Sequence, residues 1–537
     1  AGNAFTGTVS GDLGSVIVDA TTPTLTNVSL TSDNSSSGYA IDGKIVELTF
    51  TANESISTPS VTFKSGGANV NGTISVSDEG SNNYKATYTV NSSDTDGLVT
   101  FEISNIVDNA GNSGTNVTSV NDSTSMEVDK TLPTISSTSI ASNNSITVTF
   151  SEDVYKANTG SGDLEANDFS LSIAGGTATL HNATPSNISK TSDKIWVLTP
   201  HWDTAAATGV ETLTVTPVAS SIYDIAGNAA SATQSNNTQT LNDTTAPANF
   251  TMGSVVTTGG TVVTNYWNST NTGLTITVPI ANDSSLDGGT LQLRAKAGSN
   301  LYEDLSGAYT IVSVNTDKTI SVLANTLESI TGFDENVDLT FTADITDAAG
   351  NGPTTGATSN VLHILHVDKT APSVNGVTAT NVNGNYNTGD TIAIQVVFND
   401  TVTVAGGPPQ LTLTTNVAAD PDGTTTVGYV SGSPGTTLLF NYVVGSGDNS
   451  SDLDYASTSA LALNGGTIKD AAGNDATLTL ATPGDTGSLG VNKDIVIDGV
   501  KPTVSSVTST TNNGSYGIGY VIAIQVVFSE SVTVTGT

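Results

Sequence analysis

Two short phrases recur in fixed order along this chain, and they constrain its fold more than any other feature. Asp108-Asn-Ala-Gly-Asn112 is followed by Asp129-Lys-Thr-Leu-Pro133, and Asp224-Ile-Ala-Gly-Asn228 by Asp243-Thr-Thr-Ala-Pro247. Asp347-Ala-Ala-Gly-Asn351 is followed by Asp368-Lys-Thr-Ala-Pro372, and Asp470-Ala-Ala-Gly-Asn474 by Asp498-Gly-Val-Lys-Pro502. The chain opens inside the same pattern, with Ala1-Gly2-Asn3 leading to Asp19-Ala-Thr-Thr-Pro23. Self-similarity at a steady interval means an array of like domains.

The marker aspartates Asp19, Asp129, Asp243, Asp368 and Asp498 stand 110, 114, 125 and 130 residues apart. Each interval is the size of one ordinary domain with its own core. Solenoid units, at about 20–50 residues, are far shorter. The spacing predicts four complete domains at 20–129, 130–243, 244–368 and 369–498. A closing strand of a preceding domain is expected at 1–19 and the opening strands of a following one at 499–537. Ile522-Ala-Ile-Gln-Val-Val-Phe528 repeats Ile392-Ala-Ile-Gln-Val-Val-Phe398. The later copy stops at Thr537, where the earlier goes on through Leu411, Leu413, Phe440 and Ile468. The expectation is a window on a longer chain. Residues 1–19 and 499–537 together make about half a domain, which disfavours completion by strand donation between molecules.

The composition suits many short strands and turns. Aromatics are 5% and charged residues 12%, while hydrophobics reach 36% through short runs of Val, Ile, Leu and Ala. Fifty acidic residues against 14 basic ones give a net charge of -36. A phosphate backbone needs Lys and Arg, so nucleic acid is excluded as a partner, and an anionic membrane surface by the same sign. Cations suit this charge, and so does simple solubility. There is no cysteine, hence no disulfide frame, thiolate site or cysteine nucleophile. No signal peptide is recognisable, and no apolar stretch reaches the roughly 20 residues of a membrane span, so no membrane insertion is expected in this segment.

Period-two alternation recurs, as in Ile146, Val148 and Phe150 against Ser145, Thr147 and Thr149, or along Tyr84–Val90 and Glu211–Pro217. Helical periodicity is not evident. Strands bounded by Gly, Asn, Asp and Ser in domains of this size read as β-sandwiches. In the domain from Pro133 to Asp243, a first strand leaves the linker and a second, Ser145–Phe150, returns. Glu152 and Asp153 then lie at the linker end, where the exit loop of the sixth strand, Asp224–Asn228, also arrives.

Equivalent carboxylates occur in every copy. They are Asp19, Glu54 and Asp108; Asp129, Glu152, Asp153 and Asp224; Asp243, Asp283 and Asp347; Asp368, Asp400 and Asp470; then Asp498 and Glu530. Carboxylates gathered at one pole repel unless a cation joins them, and Ca²⁺ takes six to eight oxygen ligands. Structural Ca²⁺ at the junctions is therefore expected. The competing reading is turn chemistry alone, since Gly allows positive φ and Asp and Asn cap their own backbone. Gly447–Tyr455, with Asp448, Asp452 and Asp454, is a further cluster that reads equally as a cation loop or a polar hairpin.

The paired phrases, in tandem over essentially the whole chain, resemble the bacterial immunoglobulin-like repeats of very large secreted adhesins and surface proteins. The resemblance implies an all-β, linear tandem array of extracellular immunoglobulin-like β-sandwich domains, often stiffened by Ca²⁺ at the junctions. The last linker, Gly499-Val500-Lys501, departs from the pattern, and Val278-Pro279-Ile280-Ala281 marks the third domain as a different subtype.

No catalytic constellation stands out, so no enzyme is expected. His363 and His366 point to opposite faces of a strand, His201 reads as a surface turn, and nucleophile-elbow, P-loop and metalloprotease motifs are lacking. A Lys–Asn isopeptide bond is disfavoured by the scarcity of lysine. Asn-x-Ser/Thr sequons such as Asn27, Asn71 and Asn268 leave glycosylation open. Two functions follow: a Ca²⁺-stiffened stalk or adhesin segment at a cell surface, or a self-assembling surface-layer or filament subunit. The partners expected are calcium, neighbouring repeats of the same or identical chains, and a surface receptor or glycan.

Overall fold

Apolar residues at every second position become buried sheet faces along the chain. The computed structural model describes residues 18–536 apart from 232, 359–363 and 417–421. His363, Thr537 and nearly all of the closing strand expected at 1–19 lie outside the described residues. Among the described residues the protein is nearly all-β, with α-helix confined to single turns at Ala324–Leu327 and Leu489–Asn492. It divides into two compact units, Ala1–Thr245 and Ala246–Thr537. Each contains two separate hydrophobic cores.

In the first unit, strand Ile45–Ala52 buries Val46, Leu48, Phe50 and Ala52 and turns its polar residues outward. It lies between Leu25–Ser32 and Asn83–Thr89, with Ser75–Gly80 beyond. Leu48 pairs with Leu30 on one side and Ala86 on the other. The facing sheet runs Tyr39–Ala40, Glu127–Val128, Gly97–Ser104, Ser60–Ser65 and Ala68–Asn69. Taking the principal strands in chain order, the first, second, fifth and fourth form one sheet, and the seventh, sixth and third the other. That is the immunoglobulin-like arrangement. The second core repeats it. Ile135–Ser142, Ser145–Phe150, Ile195–Thr199 and Asn187–Ser192 face Phe169–Ala174, Thr212–Pro217 and Thr238–Thr240. Val148 pairs with Trp196, and both pack into a core with Phe169, Leu171, Leu213 and Val215. Asn143, after the first strand, exchanges two 2.8 Å hydrogen bonds with the backbone of Asn242 and so fastens the end of the domain.

In the second unit, Val255–Thr258, Gly273–Val278 and Lys318–Leu323 form one sheet of the third core. Tyr266–Trp267, Ile364–Val367, Asp338–Thr346, Thr290–Ala297 and Glu303–Asp304 run in that order in the other. The fourth core departs. Its strand Thr391–Gly406 pairs with Gly435–Val443 over Thr391–Val397, then with Gly466–Lys469 over Thr403–Gly406. The sequence places Asp400 in a loop after a second strand; here the strand continues, and Asp400 sits at the register shift between Val397 and Val402. Beyond it, Val504–Ser509 and Ile524–Phe528 form an antiparallel hairpin.

Separate cores make damage local. Trp196→Ala empties the centre of the second core and is expected to cost about 3–5 kcal/mol. Differential scanning calorimetry checks this: one transition falls, and those of the other three cores hold.

Candidate metal centres at the domain joints

Each Asp-x-Ala-Gly-Asn phrase folds in the same way. The backbone amide of Asn112, Asn228, Asn351 or Asn474 donates to Oδ1 of the leading aspartate at 2.8 Å in every case. The side-chain Nδ2 of the same asparagine donates to Oδ2 at 2.7, 2.8, 2.9 and 2.9 Å. Gly111, Gly227, Gly350 and Gly473 stand at φ 94°, 96°, 90° and 92°, which glycine adopts without a Cβ penalty. The four aspartates Asp108, Asp224, Asp347 and Asp470 are all buried.

The asparagine also reaches the linker. Nδ2 of Asn112, Asn228 and Asn474 donates to the backbone carbonyl of Asp19, Asp129 and Asp368 at 3.2, 3.0 and 2.9 Å. The preceding domain grips the same turn. Ser36 Oγ donates to Ile225 O at 2.6 Å and Asn34 Nδ2 to Ala226 O at 2.8 Å. In the second unit Asn268 Nδ2 donates to Ala472 O at 2.7 Å, and Ser269 Oγ to Asn474 Oδ1 at 2.8 Å. A Cβ on Gly473 would stand 2.8 Å from Thr261 Cγ2, so the phrase is also shaped to its neighbour. The asparagine closing each phrase was a visible signal for this joint role. Asn34, Ser36, Asn268 and Ser269 carried none, because nothing in their local sequence marks a contact some 190–205 residues away.

On this frame two sets of carboxylates converge. Asp129, Glu152 and Asp224 each place one oxygen within 4.8 Å of the other two. Asp129 comes from the linker, Glu152 from the exit of Ser145–Phe150 and Asp224 from the turn. Burial, then Asp224 and Asp129, push the Glu152 carboxyl up to about 7. Asp129 is raised by burial and by Asp224, Asp96 and Glu127. Asp224 is raised because its burial outweighs the bonds from Asn228, Gly227 and Ala226. Asp19, Glu54 and Asp108 converge in the same way. Glu54 Oε1 is buried with no hydrogen-bond partner. Burial, then Asp19 and Asp108, raise that carboxyl. Burial also acts to raise Asp108, but the side chain and amide of Asn112 and the amides of Ala110 and Gly111 prevail and hold it low.

The remaining expected ligands are placed less uniformly. Asp153 is exposed and outside the cluster formed by its neighbour Glu152. Asp243 belongs to the first unit, where Oδ1 accepts from Thr245 N at 2.9 Å. Asp283, in the second unit, caps Ser284–Leu286 by accepting from Ser285 N, and Asp347 holds its own turn. Asp368 is pushed up to about 6 by burial, then by Asp470 and Glu335. Glu335, not anticipated from the sequence, accepts from Lys369 N and Thr370 N and lines one recess with Asp368 and Asp400. Asp498 and Glu530 share another recess, where Glu530 Oε1 is buried without a hydrogen-bond partner. The weak 3.4 Å contact from Val500 N to Asp498 reflects the altered last linker. In Gly447–Tyr455, Asp448 is buried and accepts from Tyr442 Oη and Gly445 N, so it is a structural brace.

The donor sets at the two convergent joints are all carboxylate oxygen, and at the first of them Glu54 Oε1 is buried without a hydrogen-bond partner, which fits a hard divalent cation. No family model and no curated protein matches the chain. Solved structures with detectable likeness include Yersinia pseudotuberculosis InvD at 14% identity, covering 64% of this chain and 99% of that one with a TM-score of 0.25. Surface layer protein SbsC, domains 1–6, has 14% identity, covering 91% of this chain and 56% of that one with a TM-score of 0.19. Titin domains A168–A170 have 10% identity, covering 63% and 97% with a TM-score of 0.21. At such identities and scores they add nothing about function.

A carboxyl raised from 4.5 to about 7 binds its proton more tightly folded than unfolded. Its contribution to stability is present below the unfolded value and is lost as pH rises through the folded one. With divalent ions chelated, the melting transition of the second domain should move to lower temperature across that window. Glu152→Gln should flatten the fall and raise stability above it by about 1 kcal/mol, about 4 °C. Thermal melts in EDTA at a series of pH values check both.

Proposed function

We propose that the chain is a non-enzymatic extracellular structural protein: a stalk or adhesin segment of immunoglobulin-like repeats whose joints are stiffened by Ca²⁺. The observation that carries this reading is the approach of Asp129, Glu152 and Asp224 to within 4.8 Å of one another. At Glu152 the repulsion from Asp224 and Asp129 outweighs the attraction of Lys194. Each of the four hydrophobic cores is one bead of the array, and the marker aspartates lie at the joints. A divalent ion bound to all three carboxylates ties the linker to the domain it enters, and so limits swivelling about it. The net charge of -36 and the absence of cysteine suit an exposed, calcium-rich setting in which no disulfide is needed. A surface receptor or glycan would be met by loops outside these joints.

Calcium should bind with a dissociation constant of roughly 10⁻⁴–10⁻³ M, the range of extracellular modules. A ligand of the folded state raises stability, so millimolar Ca²⁺ should raise the melting temperature over that in EDTA. Glu152→Gln should remove part of that response. Identical melts in Ca²⁺ and EDTA would sink the proposal. Negative-stain imaging separates the two surface functions: single particles in Ca²⁺ support a stalk, whereas ordered sheets or fibres support a surface-layer or filament subunit.

A further inference from the structure

The chain has four histidines, and two of them meet. His181 follows strand Thr179–Leu180, and His201 precedes strand Trp202–Thr204, which pairs with it antiparallel in the second domain. His181 N donates to His201 O at 2.7 Å, so the two residues stand directly across the ribbon and their side chains leave the same face. The ring centroids are 4.5 Å apart. Asp203, the extra residue where the ribbon's register shifts, places Oδ1 2.7 Å from His181 Nδ1. A carboxylate on Nδ1 fixes the proton there, aims the ring and leaves the Nε2 lone pair outward, as in carboxylate–histidine–metal triads.

We propose that His181 and His201 form a binding site for a late first-row divalent ion of the zinc, nickel or copper class, with Asp203 as the positioning residue for His181. Imidazole nitrogens suit these ions, whereas calcium selects oxygen, so this site is chemically separate from the carboxylate joints. His201 Nδ1 lies 3.2 Å from Asn182 Nδ2, whose Oδ1 accepts from Thr184 N at 2.9 Å. That long contact between exposed side chains is easily surrendered when the ring binds a metal. With two protein ligands on an open face, the ion keeps coordination positions for water or for a group from another molecule. Leu180 and Trp202 carry the ribbon's packing against the core, whereas the His181 and Asp203 side chains are exposed and His201 is partly so.

The test is a calorimetric titration of the full chain with Ni²⁺ in excess Ca²⁺, which occupies hard oxygen sites. One saturable equivalent per chain is expected. His181→Asn and His201→Asn should each weaken it at least about tenfold, and Asp203→Asn by about tenfold, the usual effect of losing a carboxylate behind a ligand. Metal-free melting temperatures of all three variants should match the parent. Absence of a saturable equivalent in the parent, or binding that survives in either histidine variant, overturns the site. Unchanged affinity in Asp203→Asn overturns the positioning role.

Discussion

The joints depend on one interaction: the asparagine that ends each turn binding the buried aspartate that begins it. Burying a carboxylate is costly unless donors surround it. In the second domain Asp224 Oδ1 accepts from Gly227 N at 2.6 Å and Asn228 N at 2.8 Å, while Oδ2 accepts from Asn228 Nδ2 at 2.8 Å. Charge-assisted bonds of this kind are roughly twice as strong as neutral ones. With the asparagine so fixed, its second amide proton points at the Asp129 carbonyl. The linker is thereby anchored to the domain it enters, and its own carboxylate is carried toward Asp224.

Burial alone does not set the charge balance at these sites; the company does. Glu211 is fully buried, yet the amides of Thr177, Ala178 and Thr208 outweigh the burial and hold it down to about 2. Backbone amides dominate there, and Gly176 makes room, since a Cβ would collide with the carboxylate. Glu152 is less buried but faces Asp129 and Asp224, and moves the opposite way, to about 7. The first carboxylate is a finished structural brace. The second faces two like charges instead, which is why we propose it as a cation ligand. The contrast between the two depends on which groups arrive from distant parts of the chain.

Alternation of apolar and threonine-rich positions, the marker phrases and the spacing between them were enough to read all-β sandwiches with acidic residues near the turns. Strand Ser145–Phe150 and the turn at Asp224–Asn228 fall where their residues place them, because side-chain period and glycine φ are local properties. Leu411, Leu413, Phe440 and Ile468 fall in the fourth core as their residues place them, but the course of one of its strands was not legible. Whether Thr391–Gly406 ends at Asp400 or runs on into the other sheet depends on Gly466–Lys469 being there to receive it. Glu335 carries no local signal, because its role depends on Lys369 and Thr370, 34 and 35 residues later. His201 read as a surface turn because its partner, His181, is a cross-strand neighbour 20 residues earlier.

The sequence by itself determined what is periodic or local: strands of period two, glycines at positive φ, aspartates that cap their own turns, and a repeat the length of one sandwich. Tertiary structure decided which charges meet. It brought Glu152 to Asp129 and Asp224, left Asp153 in solvent one residue away, and sent Asp283 to cap a short turn. The reason is physical. Secondary structure follows from backbone sterics and side-chain alternation over a few residues, whereas electrostatic coupling falls off over a few ångströms and acts between groups that only the completed fold makes neighbours.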